Sequence, residues 1–200
     1  MDQAKTKLGS DPGRFRPRQT MTYYSDLSSC DYFDHAIADQ PELSRAWNDT
    51  LVAVGWLDDR HEFSRGTVDS TVRRKLDTLL EHPWGPAFLG FHYCSLCVRD
   101  AGGFVQDLQA SRRFPLGKEP KGVANLFLPG RHSVFVAPEL LRHYIDVHSY
   151  LPPEEFSEAV RRCPPMGTDA YFAALRRSGS RGFRRALPSA RPWWRFWSIP

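Results

Sequence analysis

Short β-branched and aromatic runs early in the chain, followed by apolar residues recurring every three or four positions near its end, predict an α+β fold. Frequent Pro and Gly breaks keep every run short, and no segment repeats at a period of 20–50 residues. The expected architecture is a small mixed or antiparallel sheet with C-terminal helices packed around a Cys/His cluster.

The elements follow in order. Thr50 to Leu57 is a β-branched and aromatic run stopped by Asp58-Asp59, which reads as a buried strand. Val68, Val72, Leu76, Leu79 and Leu80 form one helical stripe, capped by Thr67 or Ser70 and broken at Pro83. Phe88 to Tyr93 is a short strand leading into a turn at Cys94-Ser-Leu-Cys97, and residues 106–122 read as a loop. Val123–Leu128 and Ser133–Val136, separated around Pro129-Gly130, predict a hairpin with a turn longer than two residues. A helix is expected from Pro138 to His148, with Glu139 near its positive end, then a second from Glu154 to Cys163 and a last one capped by Thr168.

The chain has 200 residues and a net charge of +4, but that charge is unevenly spread. Residues 1–20 carry five Lys/Arg against two Asp, and residues 171–200 carry seven Arg against no acid, leaving fifteen bases against twenty-one acids in 21–170. The expected organisation is therefore a basic disordered tail over 1–20, one α+β domain over 21–177, and an Arg/Trp-rich disordered tail over 178–200. The last tail ends in Trp193, Trp194, Phe196 and Trp197 among arginines. As a function it would bind nucleic acid by charge and stacking or lie on an anionic membrane surface; as an unstructured extension it would do neither. No run approaches the roughly 18 apolar residues of a membrane span and none follows the N-terminal basic residues, so a cytoplasmic location is expected.

Four cysteines in such a chain are thiols or metal ligands before they are a disulfide framework. Cys94-x-x-Cys97 has the spacing that lets two thiolates reach one tetrahedral ion, and His92 precedes it in an H-x-C-x-x-C pattern. His143 and His148, with four residues between them, are the best distant pair, and together with Cys94 and Cys97 they make the donor set of a Cys2His2 zinc site. On an ideal helix these histidines stand about 140° apart, so both can ligate only if the helix distorts or ends near His148. The competing reading is two buried thiols beside polar core histidines, His148 among them. Cys163, before Pro164-Pro165, reads as helix-end packing, and Cys30 in its Ser-Ser-Cys-Asp turn is undetermined.

Named chemistries find little here. The chain has no H-E-x-x-H, no H-x-E followed by P-C-x-x-C, no phosphate-binding G-x-x-x-x-G-K-[ST] and no G-x-S-x-G. A thioredoxin-type pair would open a helix after a strand, whereas Gly102-Gly103 soon interrupts any helix begun at Cys94; Cys97 as a nucleophile with His92 or His143 as base is a weaker option.

Residues 21 to about 165 resemble a bacterial domain family of unknown function. The resemblance rests on Met21-Thr-Tyr-Tyr-Ser-Asp-Leu-Ser28, Val54-Gly-Trp-Leu57 with Phe63-x-Arg-Gly66, Gly90-Phe-His-x-Cys-x-x-Cys97, Val134-x-Val-Ala-Pro-Glu-Leu-x-x-His-Tyr-Ile145 and His148-x-Tyr-x-Pro-Pro-x-x-Phe156. It brings no reaction, substrate or partner. It does imply that Cys30 is no ligand, since Tyr is commoner there, and that a metal site would rest on Cys94, Cys97, His143 and one of His148 or His92. The leading expectation is a structural-zinc module that binds an unidentified protein partner as an adaptor without catalysis. The alternatives are a metal-dependent hydrolase with three ligands, a water and an acid such as Glu139 as base, and a nucleic-acid or anionic-surface binder acting through the tails.

Overall fold

A computed structural model describes residues 22–33, 50–84, 92–115 and 117–179. Both proposed tails lie outside the described residues, apart from Ser178 and Gly179. The fold is α+β, as the patterning predicts.

Its centre is a three-stranded mixed sheet in the order β1-β5-β4, where β1 is Leu51–Ala53, β4 is Asn125–Pro129 and β5 is Val134–Pro138. The hairpin β4–β5 is antiparallel from Asn125↔Pro138 to Pro129↔Val134, and its four-residue connection is closed by the Gly130 N–H donating to Ser133 O at 2.9 Å. β1 runs parallel to β5, with Leu51, Val52 and Ala53 opposite Val134, Phe135 and Val136. All five residues of β5 are buried, the pattern of a central strand covered on both faces.

The first strand is three residues long rather than eight. Gly55 has φ 73°, and a Cβ there would lie 2.5 Å from Leu141 Cδ1, so the chain turns at the glycine. Val54 N–H and the Trp56 indole still donate to Val136 O, both at 3.0 Å, which keeps the segment to Leu57 buried without ladder geometry. The other edge of β1 is covered by residues 24–30, through Leu27 N–H to Ala53 O at 2.9 Å and Cys30 N–H to Leu51 O at 3.0 Å.

Helix α1, Ser70–Glu81, buries the predicted Val72, Leu76 and Leu79. Its cap is Asp69, not Thr67 or Ser70: the carboxylate accepts from the amides of Thr71 and Val72. The two-residue strands β2, His92–Tyr93, and β3, Lys121–Gly122, pair antiparallel as a second small sheet. Two short helices then occupy sequence expected as turn and loop, α2 at Ser95–Ala101 and α3 at Val105–Ala110. Gly102, at φ 135°, separates them. A Cβ there would meet Asp107 Oδ2 at 2.9 Å, the carboxylate that accepts the Phe104 amide to start α3. These helices are only seven and six residues long, too short for a stripe to be read from them.

Pro138 ends β5 instead of opening a helix; α4 begins three residues later and spans Leu141–His148. Glu139 therefore sits in the strand–helix connection, where its Oε2 accepts the amides of Val123 at 3.0 Å and Ala124 at 3.3 Å. Helix α5, Glu154–Arg162, buries Phe156, Ala159 and Val160. Helix α6, Asp169–Ser178, has its Thr168 cap accepting from the Tyr171 amide at 3.2 Å. Ser178 belongs to the fold and not to a tail, because it is buried with Oγ donating to Gly130 O at 2.6 Å. Helices α5 and α6 pack on β4, and α1 packs on α4 and α5. Phe127, Trp84, Tyr171 and Phe172 join sheet to helices by edge-on ring contacts.

Candidate metal centre

Cys94 and Cys97 are held by the step from β2 into α2. The Cys94 amide donates to Pro120 O at 2.9 Å, which fixes the residue beside the small sheet. Cys94 is the N-cap of α2, and its Sγ accepts the Cys97 amide at 3.4 Å. An α-helical first turn thus puts both sulfurs on the same side, and both cysteines are fully buried.

The histidines come from α4. An unbroken helix would leave them about 140° apart, but α4 ends at His148. Its cap, Ser149, takes the left-handed conformation at φ 56°, ψ 31°, turning the chain immediately after His148. The turn is anchored by residues 64–66. The Gly66 amide donates to Ser149 O and the Leu151 amide to Ser64 O, both at 2.9 Å, while Arg65 Nη1 donates to His148 O at 2.8 Å.

The four side chains converge. Cys94 Sγ lies 3.3 Å from His148 Nε2, and Cys97 Sγ lies 3.4 Å from both His143 Nε2 and His148 Nε2. The two Nε2 atoms are 3.2 Å apart, and all four donor atoms fall within 4.8 Å of one another. A tetrahedral ion bound at about 2.0–2.3 Å requires donor–donor separations of about 3.3–3.8 Å, so this cluster has close to the needed size. Cys94, Cys97, His143 and His148 can therefore hold a metal ion.

Charge within the cluster is unequally shared. Cys97 is held well below the ordinary thiol value, first by its hydrogen bond with Cys94 and further by His143 and His148. Cys94 is pushed far up, first by burial and then by the neighbouring Cys97. Burial and mutual repulsion mean that ionising one of these thiols disfavours ionising the other. A divalent cation removes that restriction.

His92 stands outside the four. Its Nε2 is 2.9 Å from the Tyr32 hydroxyl, and burial lowers its pKa, so it is a neutral hydrogen-bonded histidine of the small sheet. Cys30 is buried in the core with its amide on Leu51 O. Cys163 is buried at the end of α5, its thiol raised to about 12 by burial and donating to Pro164 O. None of the four cysteines is in a disulfide.

Three supporting residues escape a reading by ligand type. Asp58 ends the β1 segment with its side chain only 1% exposed, Arg65 holds the carbonyl of His148, and the buried Tyr144 ring lies beside both histidines, 5.9 Å from His143 and 6.2 Å from His148 between centroids. Arg65 was visible only as part of the Phe63-x-Arg-Gly66 pattern.

Among the described residues no helix is long and apolar enough to cross a membrane. Comparisons with curated proteins and with solved structures return no significant match. The family profile of a domain of unknown function, DUF7919, matches residues 22–161, which include the whole Cys/His cluster and everything that supports it. The chain therefore belongs to the DUF7919 family.

Proposed function

We propose that Cys94, Cys97, His143 and His148 bind zinc in a closed, four-ligand structural site, and that the domain is a binding or adaptor module without catalytic activity. The observation that carries this reading is the convergence of two thiol sulfurs and two imidazole nitrogens within 4.8 Å. That donor set and size suit zinc, which takes sulfur and nitrogen in tetrahedral geometry, and four protein ligands complete the shell. The ion would clamp α2 to the end of α4, two elements joined by a long stretch of chain. A hydrolytic site has less support, since the expected base, Glu139, is engaged by the amides of Val123 and Ala124.

Metal analysis of the full chain purified without added zinc tests the reading. The expected result is close to one zinc per chain, with a strong chelator lowering the melting temperature. At a free zinc concentration of about a thousand times Kd, binding stabilises the fold by about 4 kcal/mol. A ratio near zero, with no response to added zinc or chelator, would rule it out.

A further inference from the structure

A surface cavity of about 420 Å³ lies between residues 23–26 and the stretch 57–64 that follows β1. Its walls include the half-buried rings of Tyr23, Tyr24 and Phe63 and the carboxylates of Asp26 and Glu62. No Lys or Arg lines it. Asp26 is built into the fold: the Gly55 amide donates to its Oδ1 at 2.9 Å, and the hydroxyl of the fully buried Tyr150 lies 2.8 Å from each of its oxygens. Both donors are neutral, so they fix the carboxylate without cancelling its charge. Asp58, Asp77, Asp146 and Glu154 are paired with arginines, whereas among the described residues neither Asp26 nor Glu62 takes part in an ion pair. A partly buried carboxylate without a counter-ion, beside a second one, leaves a charge for a ligand to meet.

The aromatic walls select the kind of cation. A guanidinium is planar, stacks on rings and bonds a carboxylate through two N–H groups at once, whereas an ammonium is a compact point charge. Two of these rings already stack planar nitrogen groups of the chain itself. Arg65 Cζ lies 4.3 Å from the Phe63 centroid, and the His61 ring stacks on Tyr23 at 3.7 Å between centroids. Arg65 lines an adjoining cavity of about 380 Å³ that shares Glu62 and Phe63 with the first. The two cavities meet at these residues, which suits an extended peptide more than a compact small molecule.

We infer that this cavity receives an arginine side chain of a partner protein, its guanidinium bonded by Asp26 and Glu62 and stacked among the aromatic walls. The inference rests on the reading of the domain as a binding module and gives the chemistry of what it binds; it does not depend on the metal.

The test is an NMR titration of the isotope-labelled full chain with the blocked peptide acetyl-Gly-Arg-Gly-amide. The amides of Gly55 and Phe63 should shift saturably, and the same peptide with citrulline, which keeps the shape and loses the charge, should move neither. Glu62→Gln changes an exposed side chain with no ion pair to lose and should weaken binding about fivefold. Asp26→Asn should weaken it at least as much. Glu81→Gln, at an exposed acid on α1 outside the cavity, should leave it unchanged. Equal shifts with the arginine and citrulline peptides, or undiminished binding in Glu62→Gln and Asp26→Asn, would overturn the inference, as would no shift with either peptide. Methylguanidine binding as tightly as the peptide would make the ligand a free small cation and overturn a partner's side chain. Shifts that emerge only after Arg14, Arg16 and Arg18 are changed to Gln would give the cavity to this chain's own arginines, which overturns it too. The zinc content of the same samples decides the metal reading separately, so either can fail alone.

Discussion

His143 and His92 are both buried-side histidines near Cys94, and only their partners distinguish them. His143 Nε2 faces Cys97 Sγ and His148 Nε2, whereas His92 Nε2 faces the Tyr32 hydroxyl. His143→Ala should therefore abolish stoichiometric zinc retention after gel filtration, while His92→Ala retains the metal and loses only the stability of one neutral hydrogen bond, about 1 kcal/mol. Asp58 is the other decisive residue. Burial alone would raise its pKa, yet bonds from His61 and Arg60 outweigh burial and leave it below the ordinary 3.8. A lowered carboxylate pKa means the stabilisation is complete above that value and is lost as pH falls through the folded-state value below it. Asp58→Ala should cost about 2 kcal/mol at pH 7, since it orphans two amides as well as the side-chain donors. Urea unfolding of chelated protein should show that penalty shrinking below about pH 3.8, as the wild type loses the same interaction. The spacing of Cys94 and Cys97 made the thiol half of the site legible in the sequence. The role of Asp58 was not, because burial of a polar side chain depends on what folds over it.

At the level of elements, the geometry of α4 decides whether both histidines can reach the sulfurs. The expected helix over this segment was readable, as was the need for it to distort or end near His148, but not that the left-handed Ser149 would be the residue at that end. Ser149 holds a left-handed backbone that costs an L-residue about 1 kcal/mol. Ser149→Gly should raise stability by up to that amount with zinc content unchanged, and Ser149→Val should lower both stability and zinc affinity; thermal melting with metal analysis checks the pair. Helices α2 and α3 escaped a periodicity reading for a physical reason. Their starts depend on local acceptors, Cys94 Sγ for one and the Asp107 carboxylate for the other, and not on an apolar stripe. Pro138 shows the opposite failure. A proline suits a helix start, but the ladder to Asn125 was stronger and kept it in β5.

Over the whole molecule, the Cys/His cluster lies at the seam between two parts whose ligand-bearing helices are far apart in sequence. One is the small sheet with α2; the other is the three-stranded sheet with α1, α4, α5 and α6. β1, β2 and the β4–β5 hairpin were legible because β-branched runs and the Pro129-Gly130 turn are local signals, whereas β3 at Lys121–Gly122 fell in the stretch read as a loop. The parallel pairing of β1 with β5 was not, because it joins residues about eighty positions apart. Chelation should therefore loosen the seam before the core. Hydrogen exchange of chelated protein should speed up in α2 and in residues 148–151, with β4 and β5 still protected; uniform exchange throughout would mean the ion holds the entire fold.

The central claim is that four side chains of one chain complete the coordination of a zinc ion. X-ray absorption at the zinc edge of the full chain, purified without added metal, tests it most directly. The expected spectrum fits two sulfurs at about 2.3 Å and two imidazole nitrogens at about 2.0 Å, with no oxygen. A shell of three protein ligands and an oxygen, or a sample without zinc, would contradict it.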